Sequence, residues 1–147
     1  MAEVKRTYYE SGELESEYFV LNGKINGEYK SYHPNGQLWQ IYNCIDDKRN
    51  GECKRYYDNG KICEICLYIN DERNGEYKCY YRNGQLLASF TCINDRINGK
   101  YKSYHENGQL NIICTIIHGK RNGEHKSYNE LGVLIKSCLY EDDIKID

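Results

Sequence analysis

The chain has 147 residues with one Pro, 13 Gly, 16 Tyr and a formal net charge of −2. That length suits one domain, the balanced charge excludes a global pull toward nucleic acid or anionic membrane, and a hydrophobic share of 39% excludes a large closed core. The tyrosines argue against disorder, because their rings cover apolar surface while the hydroxyls stay in water. The start, MAEVKRTYYESG, has no apolar stretch of the signal-peptide kind, and no apolar run is long enough to span a bilayer. Eight Cys without a visible signal point to free thiols in a reducing compartment.

From the N-terminus onward the chain repeats one phrase every 24 residues. The phrase is YKSYHPNGQL at 29–38, CKRYYDNGKI at 53–62, YKCYYRNGQL at 77–86, YKSYHENGQL at 101–110 and a fainter HKSYNELGVL at 125–134. One set of glycines, Gly12, Gly36, Gly60, Gly84, Gly108 and Gly132, keeps that step without insertion. A second set, Gly27, Gly51, Gly75, Gly99 and Gly123, keeps it too, each after an Asn. Tyr8, Tyr32, Tyr56, Tyr80, Tyr104 and Tyr128 fill one place in every copy. Lys30, Lys54, Lys78, Lys102 and Lys126 fill another, with Arg6 in the first copy.

The repeats run approximately 4–26, 27–50, 51–74, 75–98, 99–122 and 123–147, the first and last atypical and capping. Each contains two turn signals, x-N-G-x as at Asn35-Gly36 and D/N-x-x-x-N-G ending as at Asn26-Gly27. Between them lie two segments such as EYKSYH (28–33) and QLWQIYNCI (37–45), rich in β-forming residues and without helical periodicity. The expected fold is all-β: an elongated single-layer antiparallel meander of about six 24-residue hairpins, a twisted ribbon of about twelve strands. The hairpin register stays open, since Asn-Gly closes either a two-residue loop or a three-residue loop with a bulge. Apolar residues near both ends, Phe19 and Leu139 among them, suit pairing of terminal edge strands into a homodimer.

The pattern N-G-x-x-x-x-Y-x-x-N-G-x-L over residues 4–141 resembles the MORN repeat, in its second sequence variant. The resemblance implies an open sheet acting as an interaction or scaffolding module. It also implies links to homodimerisation, protein tethering and phosphoinositide binding, and relatives among giant DNA viruses and bacterial antitoxin-like proteins. Cytoplasmic localisation is expected, in host cytoplasm or virion if the source is viral.

No chemistry of catalysis emerges. Cys63 and Cys66 form a lone C-x-x-C at places filled elsewhere by Trp39, Tyr42 and Phe90, so they read as apolar filler; residues three apart on a strand also point to opposite faces. His33, His105, His118 and His125 read as repeat drift. We therefore expect no enzyme activity, no metal and no cofactor. The Lys row is the candidate contact for acidic phospholipid, but Glu28, Glu52, Glu76 and Glu124 two residues earlier neutralise it, which suits cross-strand ion pairs and makes nucleic acid an unexpected partner. The variable apolar places, Trp39, Ile41, Leu87, Ile112, Ile113 and Ile135, are the candidate partner surface, with Trp39 first. The expected function is protein–protein interaction or scaffolding with self-association. The alternatives are a peripheral membrane array binding acidic lipids and an antitoxin-like partner capping a toxin.

Overall fold

A computed structural model describes residues 1–146. The sequence pattern dictates strands, and every described element is one. The backbone groups into two units, Met1–Glu72 and Arg73–Asp147.

In the first unit the strands are β1 (Ala2–Tyr8), β2 (Leu14–Leu21), β3 (Lys24–Tyr32), β4 (Leu38–Ile45), β5 (Lys48–Arg49), β6 (Gly51–Tyr56) and β7 (Ile62–Ile69). They form an antiparallel meander in chain order, with β5 a short extension pairing β4. In the second unit the strands are β8 (Glu72–Tyr80), which begins at the boundary, β9 (Leu86–Ile93), β10 (Arg96–Ile97), β11 (Gly99–Tyr104), β12 (Leu110–Ile117), β13 (Lys120–Tyr128), β14 (Leu134–Glu141) and β15 (Ile144–Lys145). They too pair antiparallel in chain order, with β10 on β9. Twelve long strands and three two-residue pieces match the expected six hairpins.

The first Asn-Gly makes the turn expected of it. His33 N–H bonds Gln37 O at 2.7 Å and Gly36 N–H bonds His33 O at 2.8 Å. This is a three-residue loop, a type I turn closed by a glycine at φ +83°. Pro34 occupies the turn place where a fixed φ near −65° is wanted. A bulge follows at once: Ser31 faces Gln40 but Tyr32 faces Leu38, leaving Trp39 as the extra residue. The open choice of register is thus resolved as loop plus bulge, repeated at Cys63, Leu87, Asn111 and Ile135.

The second Asn-Gly does something else. The chain reverses earlier, at two-residue turns such as Asp46-Asp47, whose φ values of 49° and 69° are those of the mirror-image turn that suits strand twist. Leu21 pairs with Lys24 across the equivalent Asn22-Gly23. Asn26-Gly27 lies inside β3, where the register slips between Tyr18↔Tyr29 and Val20↔Ile25. The glycine, at φ +99°, makes this bulge rather than a turn. The expectation that both glycine sets make turns is therefore corrected: the reversal belongs to the Asp/Asn pair four residues upstream.

Within each unit polar side chains tie one repeat to the next. Asn35 Nδ2 donates to Asp58 O at 2.7 Å, and Asn50 Oδ1 accepts from Asn70 N. His33 Nε2 meets Tyr56 O at 2.9 Å, the bond Tyr9 Oη makes to Tyr32 O. His33 and His105, read as drift, thus keep the tyrosine's function. Apart from Tyr68, the buried residues are small: Cys44, Cys53, Cys66, Ser16 and Ser31 in the first unit, and Ala88, Cys92, Cys114, Cys138 and Ser103 in the second.

Candidate functional site

Strand alternation sorts the repeat onto two faces. On β3, Glu28, Lys30 and Tyr32 share one face while Tyr29 and Ser31 share the other. The six-fold tyrosines belong to the first, the lysine face. Seven cysteines belong to the second, the cysteine face, and the eighth, Cys63, is a bulge residue.

The lysine face is neutralised along the strand. Lys54 Nζ lies 2.7 Å from Glu52, Lys78 3.0 Å from Glu76 and Lys126 2.9 Å from Glu124; Lys30 pairs with Glu28. At these four lysines the pairing runs between residues two apart on one strand, correcting the expected cross-strand pairs, whereas Arg6 of the first copy does pair across strands, with Glu17 at 2.6 Å. Each lysine is held above its ordinary pKa by the carboxylate that accepts its hydrogen bond. Lys102 differs, because Lys100 stands where the other copies carry Glu, and neither has an ion-pair partner among the described residues. Lys100 and Lys102 line one concavity with Glu76, Ser89, Phe90 and Thr91, of about 200 Å³. Lys100 also lines another with Ile113, Thr115, Tyr128 and the Glu124–Lys126 pair, of about 340 Å³.

The cysteine face carries the packing. Tyr18, Tyr29 and Tyr42 stack in sequence with centroids 5.4 and 4.8 Å apart, and Tyr77, Phe90 and Tyr101 do the same at 4.5 and 5.7 Å. Guanidinium groups cap some rings: Arg49 lies 4.0 Å over Tyr68 and Arg121 4.1 Å over Tyr140. Arg49 and Arg121 are oriented by Asp71 and Asp143 at 2.7 and 2.8 Å. Burial pushes the Tyr68 hydroxyl up to about 12.

In the third repeat the stacked pair is replaced by Cys53 directly opposite Cys66, both 1% exposed. A hydrogen bond from Cys66 holds the Cys53 thiol low; that bond and burial push Cys66 up. The thiol partner of Cys66 is thus Cys53, across the strand. The alternation argument against a Cys63–Cys66 pair does not hold, because Cys63 sits on the bulge, where alternation resets. No group of three or more His, Cys, Asp or Glu is placed to hold a metal among the described residues.

The candidate partner residues do not form one surface. Trp39, Leu87 and Ile135 are bulge residues, Ile112 lies on the cysteine face, and Ile41 and Ile113 lie on the lysine face. Trp39, 44% exposed, lines a concavity of about 340 Å³ on the cysteine face of the first unit. Its other walls include Tyr9, Tyr18, Tyr29, Glu15 and Ser31. Glu15 is the bulge residue of the first repeat, as Trp39 is of the second. A bulge re-aims the side chain it carries. Sequence reasoning missed this group because it treated Trp39 alone. The signal that could have found it is the bulge place itself, occupied in turn by Glu15, Trp39, Cys63, Leu87, Asn111 and Ile135. No two of the six copies carry the same residue there.

A family model described as MORN repeat variant matches residues 4–24, 25–43, 49–70, 73–91, 97–118 and 121–142. No curated protein matches the chain.

Proposed function

The chain belongs to the MORN repeat variant family, and from that premise we propose that it is a non-enzymatic protein–protein interaction or scaffold module that also self-associates. The observation that supports this reading most is the arrangement of the two faces. Constant residues are consumed in turns, stacks and bridges between repeats, while a bulge in each repeat holds out a side chain of changing chemistry. Trp39 is one such residue and lies in a concavity, the setting in which tryptophan anchors interfaces.

The test is affinity capture from extract of the native host, with chemical cross-linking to map contacts. The expected result is a retained protein whose cross-links fall on the cysteine face and whose recovery drops at least tenfold with Trp39→Ala. Recovery of nothing beyond the chain itself would sink the adaptor reading and leave self-assembly.

A second reading, contact with acidic phospholipid, is favoured only at Lys100 and Lys102, two adjacent lysines of one strand face where the other lysine copies carry a Glu–Lys pair. It predicts salt-sensitive co-sedimentation with vesicles containing phosphatidylserine, abolished by Lys100→Glu with Lys102→Glu and unaffected by Lys54→Glu. Sedimentation indifferent to both changes rules it out.

A further inference from the structure

We propose that the concavity at Trp39 binds the cationic side chain of a partner polypeptide, an arginine or a lysine. This rests on the reading of the chain as a protein-interaction module and gives that module a ligand chemistry. The first observation is the wall. Tyr9, Tyr18, Tyr29 and Trp39 supply aromatic surface around one space of about 340 Å³, large enough for a guanidinium and part of its stem. The faces of such rings carry negative potential and attract cations.

The second observation is that the fold already uses this chemistry within the chain. Arg49 caps Tyr68 and Arg121 caps Tyr140. Arg73 lies 5.9 Å from the Tyr77 centroid. The residues at the places of Arg73 and Tyr77 two repeats earlier are Ile25 and Tyr29, and both line the concavity. Tyr29 stacks between Tyr18 and Tyr42, so a cation entering the concavity meets Trp39, Tyr9 and the face of Tyr18 turned away from Tyr29. No Arg or Lys of the chain lines that space, so a cation there comes from another molecule.

The third observation is charge. Glu15 is the one ionisable carboxylate in the wall, and no Lys, Arg or His lines it. The nearest cation in register is Lys5, opposite Tyr18, and its ammonium is held 3.1 Å from Glu3. Arg6 pairs with Glu17 on the other face. Glu10 and Glu13 add to the negative surroundings in the first repeat.

The fourth observation is a hydroxyl. Ser31 Oγ lines the concavity, its residue is 4% exposed, and it has no hydrogen-bond partner. Ser16 Oγ beside it is already paired with Thr7 Oγ1 at 2.7 Å. A buried oxygen of this kind is satisfied by an incoming donor. Ammonium and guanidinium groups bring N–H donors, whereas a fully methylated ammonium brings none. That selects lysine or arginine over a quaternary cation.

The second unit contains its own comparison. Leu87, Asn111, Phe90, Tyr101 and Ser103 hold the places of Glu15, Trp39, Tyr18, Tyr29 and Ser31. Ser103 Oγ also lacks a partner, but the carboxylate and the indole are gone. Cation binding is assigned to the first unit alone.

Trp39 is the chain's only Trp, so its emission reports occupancy directly. The intact chain is titrated with N-acetyl-arginine amide and with the neutral isostere N-acetyl-citrulline amide at constant ionic strength. The expected result is a saturable change in Trp39 emission with the arginine amide and none with citrulline. Glu15→Gln is expected to weaken that binding roughly tenfold and Ser31→Ala about threefold, with Leu87→Ala unchanged. Equal responses to the two amides, or wild-type affinity in Glu15→Gln, overturns the proposal. Glu15 is exposed, and far-UV circular dichroism checks each variant; should Glu15→Gln lose the sheet, the arginine-against-citrulline comparison decides alone. Partner capture undiminished by Glu15→Gln would overturn the cation site while leaving the interaction module standing. Arginine binding by a chain that retains no protein would do the reverse.

Discussion

His125 shows how one residue departs from its repeat at a physical cost. It stands where Tyr29, Tyr77 and Tyr101 stack, opposite Cys138, and its Nδ1 is buried without a hydrogen-bond partner. Burial, then Arg121 and Lys136, hold its pKa below the ordinary histidine value. The folded state therefore binds the proton less readily than the unfolded chain. Stability is fully present above the unfolded value, about 6.5, and falls as the pH drops through the folded value. Urea midpoints are expected to decline between pH 7 and pH 5, and His125→Tyr is expected to remove that decline while raising the midpoint at pH 7. A variant with the same pH slope as wild type would contradict the assignment. Asn35 makes the opposite case. Its Oδ1 accepts from Gln37 N at 3.0 Å, closing its own turn, while its Nδ2 bridges to Asp58 O. Asn83 and Asn107 repeat both bonds.

At the scale of elements, the two glycine sets look alike in sequence and serve different ends. Gly60, at φ +81°, closes a hairpin, and a Cβ there would lie 3.3 Å from Gln37 Oε1. Gly51, at φ +95°, bulges a strand, and a Cβ there would meet nothing. Both substitutions force an L residue into the left-handed region, at a cost of roughly 1–2 kcal/mol. Gly60→Ala is expected to destabilise by about that amount in urea unfolding, and Gly60→Asn by less, since Asn tolerates positive φ. A neutral Gly60→Ala would mean that the turn is not under the constraint described. Repeats, strand class and the existence of two turns per period were legible because glycine, Asn and β-forming residues recur in fixed phase. The place of the second turn was not, because Asp46-Asp47 gives a weaker local signal than Asn-Gly while the strand twist favours it.

For the molecule as a whole, stability comes from stacking each repeat on its neighbours, as a lone hairpin is marginal in water. In the first unit β1 pairs on one side only, whereas β6 lies between β4 and β7. Hydrogen exchange is expected to show β6 amides protected at least tenfold more than those of β1. Uniform protection across the unit would instead point to all-or-none unfolding. The acidic first repeat and the indole of Trp39 give this unit a surface that the second lacks.

The sequence by itself determined the period, the all-β class and the lysine row with its neighbouring glutamates, because these follow from spacing and residue type along one chain. It also singled out Trp39, since a large aromatic at a variable place stands apart from the repeat. Only the tertiary structure decided the company Trp39 keeps. A bulge shifts face by one residue, and which residue bulges depends on the pairing across strands, not on either strand alone. That single shift places Glu15 and Trp39 beside Tyr18, Tyr29 and an unpaired Ser31, residues from two repeats that no local pattern joins.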